Sequence, residues 1–126
     1  MYIDTDIIYA LIKAEDPHKT FALRISKTQE RKYASVLLLV ELELVIKKEI
    51  GDLESKEVLH LIEELPFSLE LKPVDKMTME KSLELRKIHN LGIFDSIHAA
   101  CAFLDDKKIA STDKVYDRIS ELQRVR

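Results

Sequence analysis

Met1-Tyr2-Ile3-Asp4-Thr5-Asp6-Ile7-Ile8-Tyr9-Ala10-Leu11-Ile12 opens the chain, and its reading decides the fold. A short apolar run ends on Asp4, after which Ile7, Ile8, Leu11 and Ile12 recur at helical rather than alternating spacing. Asp4 is therefore expected at a strand-to-helix corner. Where strands are joined by helices, the carboxyl ends of the strands form the mouth at which ligands bind. Two acids and a threonine at such a mouth make a candidate site, although Asp and Thr also serve as ordinary helix caps.

Working outward, Asp16-Pro17 reads as a cap followed by proline at the first helical position, with His18, Phe21, Ala22 and Ile25 as its buried stripe. Tyr33-Ala34 reads as a short strand ending at Ser35, and a helix is expected from Ser35 to Ile50, closed by Gly51. Leu53 to Leu65 is a further amphipathic helix before Pro66. Phe67, Leu69 and Leu71 alternate with polar residues, as in a strand covered on one face. A helix follows from Asp75 to about His89, broken by Gly92, and another from Phe94-Asp95 through Leu104. Lys108 to Ser111 is a short strand, and Val115, Ile119, Leu122 and Val125 supply a last helical turn and a last strand. This alternation predicts an α/β fold of three layers, with a central, mainly parallel sheet of 4–5 short strands flanked by helices. One domain over residues 1–126 is expected.

The 126 residues are 46% hydrophobic and 34% charged, enough for a core without disulfide or metal staples. The single cysteine, Cys101, cannot form an internal disulfide, which suits a reducing compartment. With no signal-like or membrane-length apolar segment, a cytoplasmic protein is expected. A formal net charge of −3 argues against holding nucleic acid by bulk positive charge, but not against meeting phosphates through a bound cation.

Four acids stand out. Asp4 and Asp113 each follow an apolar strand, and Asp95 stands where a helix opens, with a helix cap as its plain alternative. Glu41 has Leu37 and Val45 at four residues either way and Leu38 and Leu44 at three, so a carboxylate interrupts an apolar face. Converging carboxylates about 4 Å apart repel by roughly 4 kcal/mol at an effective dielectric of 20. An all-oxygen set of this kind suits Mg²⁺ or Mn²⁺ better than zinc. Asp117 competes with Asp113. His98, one helical turn after Asp95, is within reach of the same site, with a purely structural role as its alternative.

The series Tyr2-Ile3-Asp4-Thr5, Ser35 with Glu41-Leu42, Phe94-Asp95-Ser96-Ile97-His98-Ala99-Ala100 and Ser111-Thr112-Asp113-Lys114 resembles the PIN domain family. The toxins of VapBC-type toxin–antitoxin pairs are especially similar. The resemblance implies a metal-dependent endoribonuclease, with Asp4, Glu41, Asp95 and Asp113 as the acidic quartet. By it, Asp4 and Asp95 hold the principal metal, Glu41 orients water or completes the metal shell, and Asp113 supports. Thr5 matches the small hydroxyl after the first aspartate and Ser111 the one before the last. Asp6 departs from the usual asparagine or serine and adds negative charge, and Leu38 stands where a threonine is frequent. The resemblance also implies RNA as substrate, a homodimer and a small antitoxin partner. The apolar excess of Val36 to Val40 and Val45-Ile46 fits a second buried surface, on the far side of the sheet or on a partner. Two alternatives are a haloacid-dehalogenase-type phosphatase with Asp4 as nucleophile and a noncatalytic binding module on the same fold.

Overall fold

The computed structural model describes residues 1–51 and 55–126. Five strands, β1 (Tyr2–Ile3), β2 (Lys32–Ser35), β3 (Leu69–Lys72), β4 (Lys108–Ala110) and β5 (Gln123–Val125), form one sheet in the order β3-β2-β1-β4-β5. Every neighbouring pair is parallel. The helices α1 (Thr5–Ile12), α2 (Lys19–Ser26), α3 (Leu37–Glu49), α4 (Ser55–Glu63), α5 (Lys76–His89) and α6 (Ile93–Phe103) flank it, with a 3₁₀ turn over Lys114–Arg118. The fold is thus a three-layer α/β sandwich.

Strands β2 and β3 add on one side of β1, and β4 and β5 on the other. The chain therefore changes direction across the sheet between β1 and β4, where an open parallel sheet leaves a crevice at its carboxyl ends. Asp4 and Ser111, the residues that directly follow β1 and β4, stand at this crevice.

The core explains why so short a central strand suffices. Tyr2, Ile3, Tyr33, Ala34, Ile109 and Ala110 are fully buried, as strands covered on both faces must be. The small residues Ala99, Ala100 and Ala102 let α6 lie against β1, β2 and β4. Helix α3 contributes the stripe Leu38, Leu42 and Ile46, all fully buried or nearly so. Leu42→Ala is expected to lower the unfolding free energy by about 2–5 kcal/mol in a urea titration, from lost burial plus the cavity left behind.

Several boundaries move, each for a local reason. Ser35 still pairs with Lys72 of β3, so α3 begins at Leu37 and not at Ser35. Asp16 accepts a hydrogen bond from the His18 backbone at 2.8 Å, but regular α2 starts only at Lys19, and His18 is exposed rather than in the buried stripe. The expected start of a helix at Leu53 lies outside the described residues; α4 ends at Glu63, two residues before Leu65. Helix α5 is stopped by Asn90, which is left-handed at φ 53°, while Gly92 instead precedes α6 as its N-cap.

Val36, Val40 and Leu44 remain 42%, 50% and 53% exposed. The far side of the sheet does not cover them, so the apolar excess of α3 is a surface stripe. Among the described residues no helix is long and apolar enough to cross a membrane.

Candidate active site

Asp4 follows β1 and caps α1, its Oδ1 accepting from the Thr5 backbone N–H at 2.9 Å. Its Oδ2 accepts from the Ser111 hydroxyl at 2.7 Å. The cap expected from sequence is real, yet it does not exhaust the residue. The carboxyl is buried, and burial pushes its pKa up to about 6, helped by the nearby Asp6 carboxylate and opposed by His98 and by the Ser111 and Thr5 hydrogen bonds.

Glu41 sits at the edge of the buried stripe of α3, its side chain 23% exposed. Its Oε2 lies 2.6 Å from Nε2 of His98, a residue wholly buried on α6. One ligating atom each from Asp4, Glu41 and His98 fall within 4.8 Å of one another. The interruption of an apolar face by Glu41 therefore has a partner inside the protein.

Asp95 is the third residue of α6, not its cap, because the helix already begins at Ile93 after Gly92. Its half-buried carboxyl titrates above the usual range, through burial first and then through the neighbouring Asp113 and Glu41 carboxylates, with His98 opposing. Asp113 is exposed and caps the 3₁₀ turn, its Oδ1 accepting from the Val115 N–H at 2.9 Å. Asp4 and Glu41 lie within ligating reach of each other, whereas Asp95 is near enough to feel the charges of Glu41 and Asp113 but neither Asp95 nor Asp113 joins the convergent set.

Asp117 is drawn off. Both its oxygens accept from Arg124 at 2.8 Å, and Arg124 also bonds the Ser111 carbonyl at 3.2 Å. It is not a rival to Asp113. Asp6 is equally committed: its Oδ2 accepts from the Thr112 backbone at 2.7 Å and from the Thr112 hydroxyl. The acid that departs from the family pattern ties the turn after β4 to α1, and raises the pKa of Asp4 while doing so.

The donor set favours a hard divalent cation. Two carboxylates, Asp4 and Glu41, converge with the His98 imidazole, and Thr5 Oγ1 and Asp6 Oδ1 are buried without a hydrogen-bond partner. Buried oxygens of this kind want a proton, a water or a cation. With both His98 nitrogens engaged by Glu41 and Tyr2, the donors left for a cation are carboxylate oxygens, which fit Mg²⁺ or Mn²⁺, and nothing in the set offers the thiolates of a structural zinc site.

The sequence reading left His98 outside its site residues, together with Tyr2, which bonds to it, and Ser35, which bonds to Tyr2. The signals were present. His98 is one turn from Asp95, and Tyr2 is two residues before Asp4, hence on the same strand face. Burial works against a charged imidazole, yet the hydrogen bond to Glu41 and the carboxylates of Asp4 and Asp95 prevail, so His98 keeps its proton to higher pH than an ordinary histidine.

The second acid pair, Asp105-Asp106, that a phosphatase reading needs at a strand's end precedes β4. Asp105 is held by Arg31 and Lys72, and Asp106 by the Tyr33 hydroxyl at 2.6 Å. These acids brace the structure and leave the Asp4 crevice alone.

Sheet order and acid geometry define an α/β protein with a carboxylate crevice at its topological switch point. The profile of the family described as PIN domain matches residues 1–122, and the chain belongs to the PIN domain family. VapC20 of Mycobacterium tuberculosis, a toxin that cleaves the sarcin–ricin loop, superposes with a TM-score of 0.75 at 16% identity over 92% of each chain. FitAcB of Neisseria gonorrhoeae matches with a TM-score of 0.72 at 20% identity, over 99% of this chain and 96% of that one. VapBC2 of Rickettsia felis, bound to a promoter DNA fragment, gives 0.71 at 19%, over 98% and 96%. At such identities the likeness is one of fold. No curated protein matches the sequence.

Proposed function

We propose that this single-domain chain is a metal-dependent endoribonuclease, the toxin of a VapBC-type toxin–antitoxin pair, working in the cytoplasm. The observation that carries the reading is the gathering of Asp4 and Glu41, with Asp95 beside them, at the switch-point crevice of a PIN fold. Asp4, Asp95 and Glu41 would hold Mg²⁺ or Mn²⁺, with Asp113 supporting from the rim. The bound cation supplies a lowered pKa for water and charge neutralisation at the phosphate. Ser111 and the Thr5 backbone N–H orient the Asp4 carboxylate, and Arg124 holds the turn that carries Asp113 by its bonds to Asp117 and the Ser111 carbonyl.

The exposed stripe Val36, Val40 and Leu44 supports a homodimer or a docked antitoxin. The folds of VapBC2 and FitAcB, both similar to this one, support the antitoxin. RNA is the substrate read from the family and from VapC20.

The test is cleavage of a mixed RNA pool with Mn²⁺. The expected result is cutting by the wild type that stops with chelator and falls by about 10²-fold in Asp95→Asn, the scale of removing one strong electrostatic element. Cleavage indifferent both to chelator and to the substitution would sink the reading. Trapping of a phosphorylated Asp4 from a small phosphoester would replace it with the phosphatase.

A further inference from the structure

Behind Glu41 runs a line of buried hydrogen bonds that the acidic site does not itself require. Tyr2, Ser35 and His98 are each 0% exposed. The Tyr2 hydroxyl lies 2.5 Å from His98 Nδ1 and 3.2 Å from Ser35 Oγ, and accepts from the Ser35 backbone N–H at 3.1 Å. His98 Nε2 then meets Glu41 Oε2 at 2.6 Å. The line joins β1, β2 and α6 to a carboxylate on α3 that is otherwise at the edge of its helix's buried face.

We infer that His98 is a positioning residue, held by Tyr2 and Ser35, which fixes the Glu41 carboxylate in place beside Asp4. The inference rests on the metal-site reading above, and adds to it a residue that orients a ligand from behind. An ionised carboxylate only accepts hydrogen bonds. Nε2 must therefore carry the proton, whichever way the Tyr2 hydroxyl turns toward Nδ1. The Tyr2 oxygen has capacity for both cases, donating to a neutral ring or accepting from a charged one. Fixing one oxygen of Glu41 this way removes rotamer freedom that cation binding would otherwise have to freeze. Partners behind a ligand typically govern 10–100-fold in metal affinity.

Two substitutions separate the halves of the line. In His98→Gln the amide nitrogen takes the place of Nε2 and keeps a donor toward Glu41. In His98→Asn the amide reaches only the Tyr2 side. Mn²⁺ binding by calorimetry, on variants shown folded by circular dichroism, is expected to weaken about 10-fold in His98→Asn and clearly less in His98→Gln. Asp4→Asn is the control for the site itself. A second readout needs no metal: the imidazole ¹H–¹⁵N spectrum of the metal-free wild type should show a protected, downfield His98 Nε2–H that is lost in Glu41→Ala. Mn²⁺ affinity equal in the wild type and His98→Asn overturns the inference, as does an imidazole spectrum unchanged by Glu41→Ala. Mn²⁺ binding no tighter in the wild type than in Asp4→Asn overturns the metal-site reading instead, and the imidazole spectrum still decides whether His98 holds Glu41.

Discussion

Asp4→Asn is expected to lower RNA cleavage by about 10²-fold or more while making the metal-free protein more resistant to heat near neutral pH. The two effects have one origin. The Asp4 carboxyl is buried among other acids, so its charge is costly to the fold unless a cation is present. Asparagine keeps the shape, its carbonyl oxygen accepting from the Thr5 N–H and its amide nitrogen donating to the Ser111 hydroxyl oxygen, but offers no charge to a cation. A shift from 3.8 to about 6 corresponds to roughly 3 kcal/mol of native-state penalty once the group ionises, at 1.36 kcal/mol per unit. Cleavage assays and thermal melts of the same two proteins check both. A variant that loses activity and also melts lower would show that Asp4 acts mainly as a helix cap.

The second large effect is the pH dependence of stability without metal. A carboxyl whose pKa is raised in the native state binds its proton more tightly there than in the unfolded chain. Its contribution is present below the unfolded value near 3.8 and is lost as pH rises through about 6. Asp6 and Asp95 are raised as well, chiefly by burial, and act in the same sense. His98 is also raised, so the stability it adds is present below its unfolded pKa and lost as pH climbs through the folded one. Against this stands Asp105, held at about 2 by the hydrogen bond from Arg31 and by Lys72, whose contribution is lost only as pH falls through that value. The metal-free protein is therefore expected to be most stable in mild acid and to weaken toward neutrality. Mn²⁺ should reverse the decline, by about 2.7 kcal/mol at one hundred times its dissociation constant. Urea titrations across pH, with and without Mn²⁺, read this directly. Coincident profiles for the wild type and Asp4→Asn would show that Asp4 is not the source of the slope.

His98 gives both effects a structural setting. In the metal-free protein its ring pairs with Glu41 at 2.6 Å and stands 3.9 Å from Asp4. The carboxylates keep a partner when no cation is bound. Arg124 performs a similar service for Asp117 at the far rim. On the proposed reading, charge balance here would be divided between fixed protein cations and the bound ion.

Much was legible in the chain alone because the information is local. Apolar runs of strand length ending on Asp4 and near Asp113, helical periodicity around Glu41, and the glycine before Phe94-Asp95 require only near neighbours to read. They determined the α/β class, the parallel sheet, and the four acids as candidates. Local order also carried the family resemblance, since the motifs follow one another at recognisable spacing. What it could not settle was partnership. Asp117 and Asp113 look alike four residues apart, and only the return of β5 brings Arg124 to one of them. Asp6 reads as extra charge until the turn after β4 delivers Thr112. His98 reads as one helical residue among alanines until β1, β2 and α3 close around it, placing Tyr2 on one ring nitrogen and Glu41 on the other. Each of these pairs spans from 7 to 106 positions in sequence. Periodicity sets which way a side chain faces, whereas the sheet order decides what it meets.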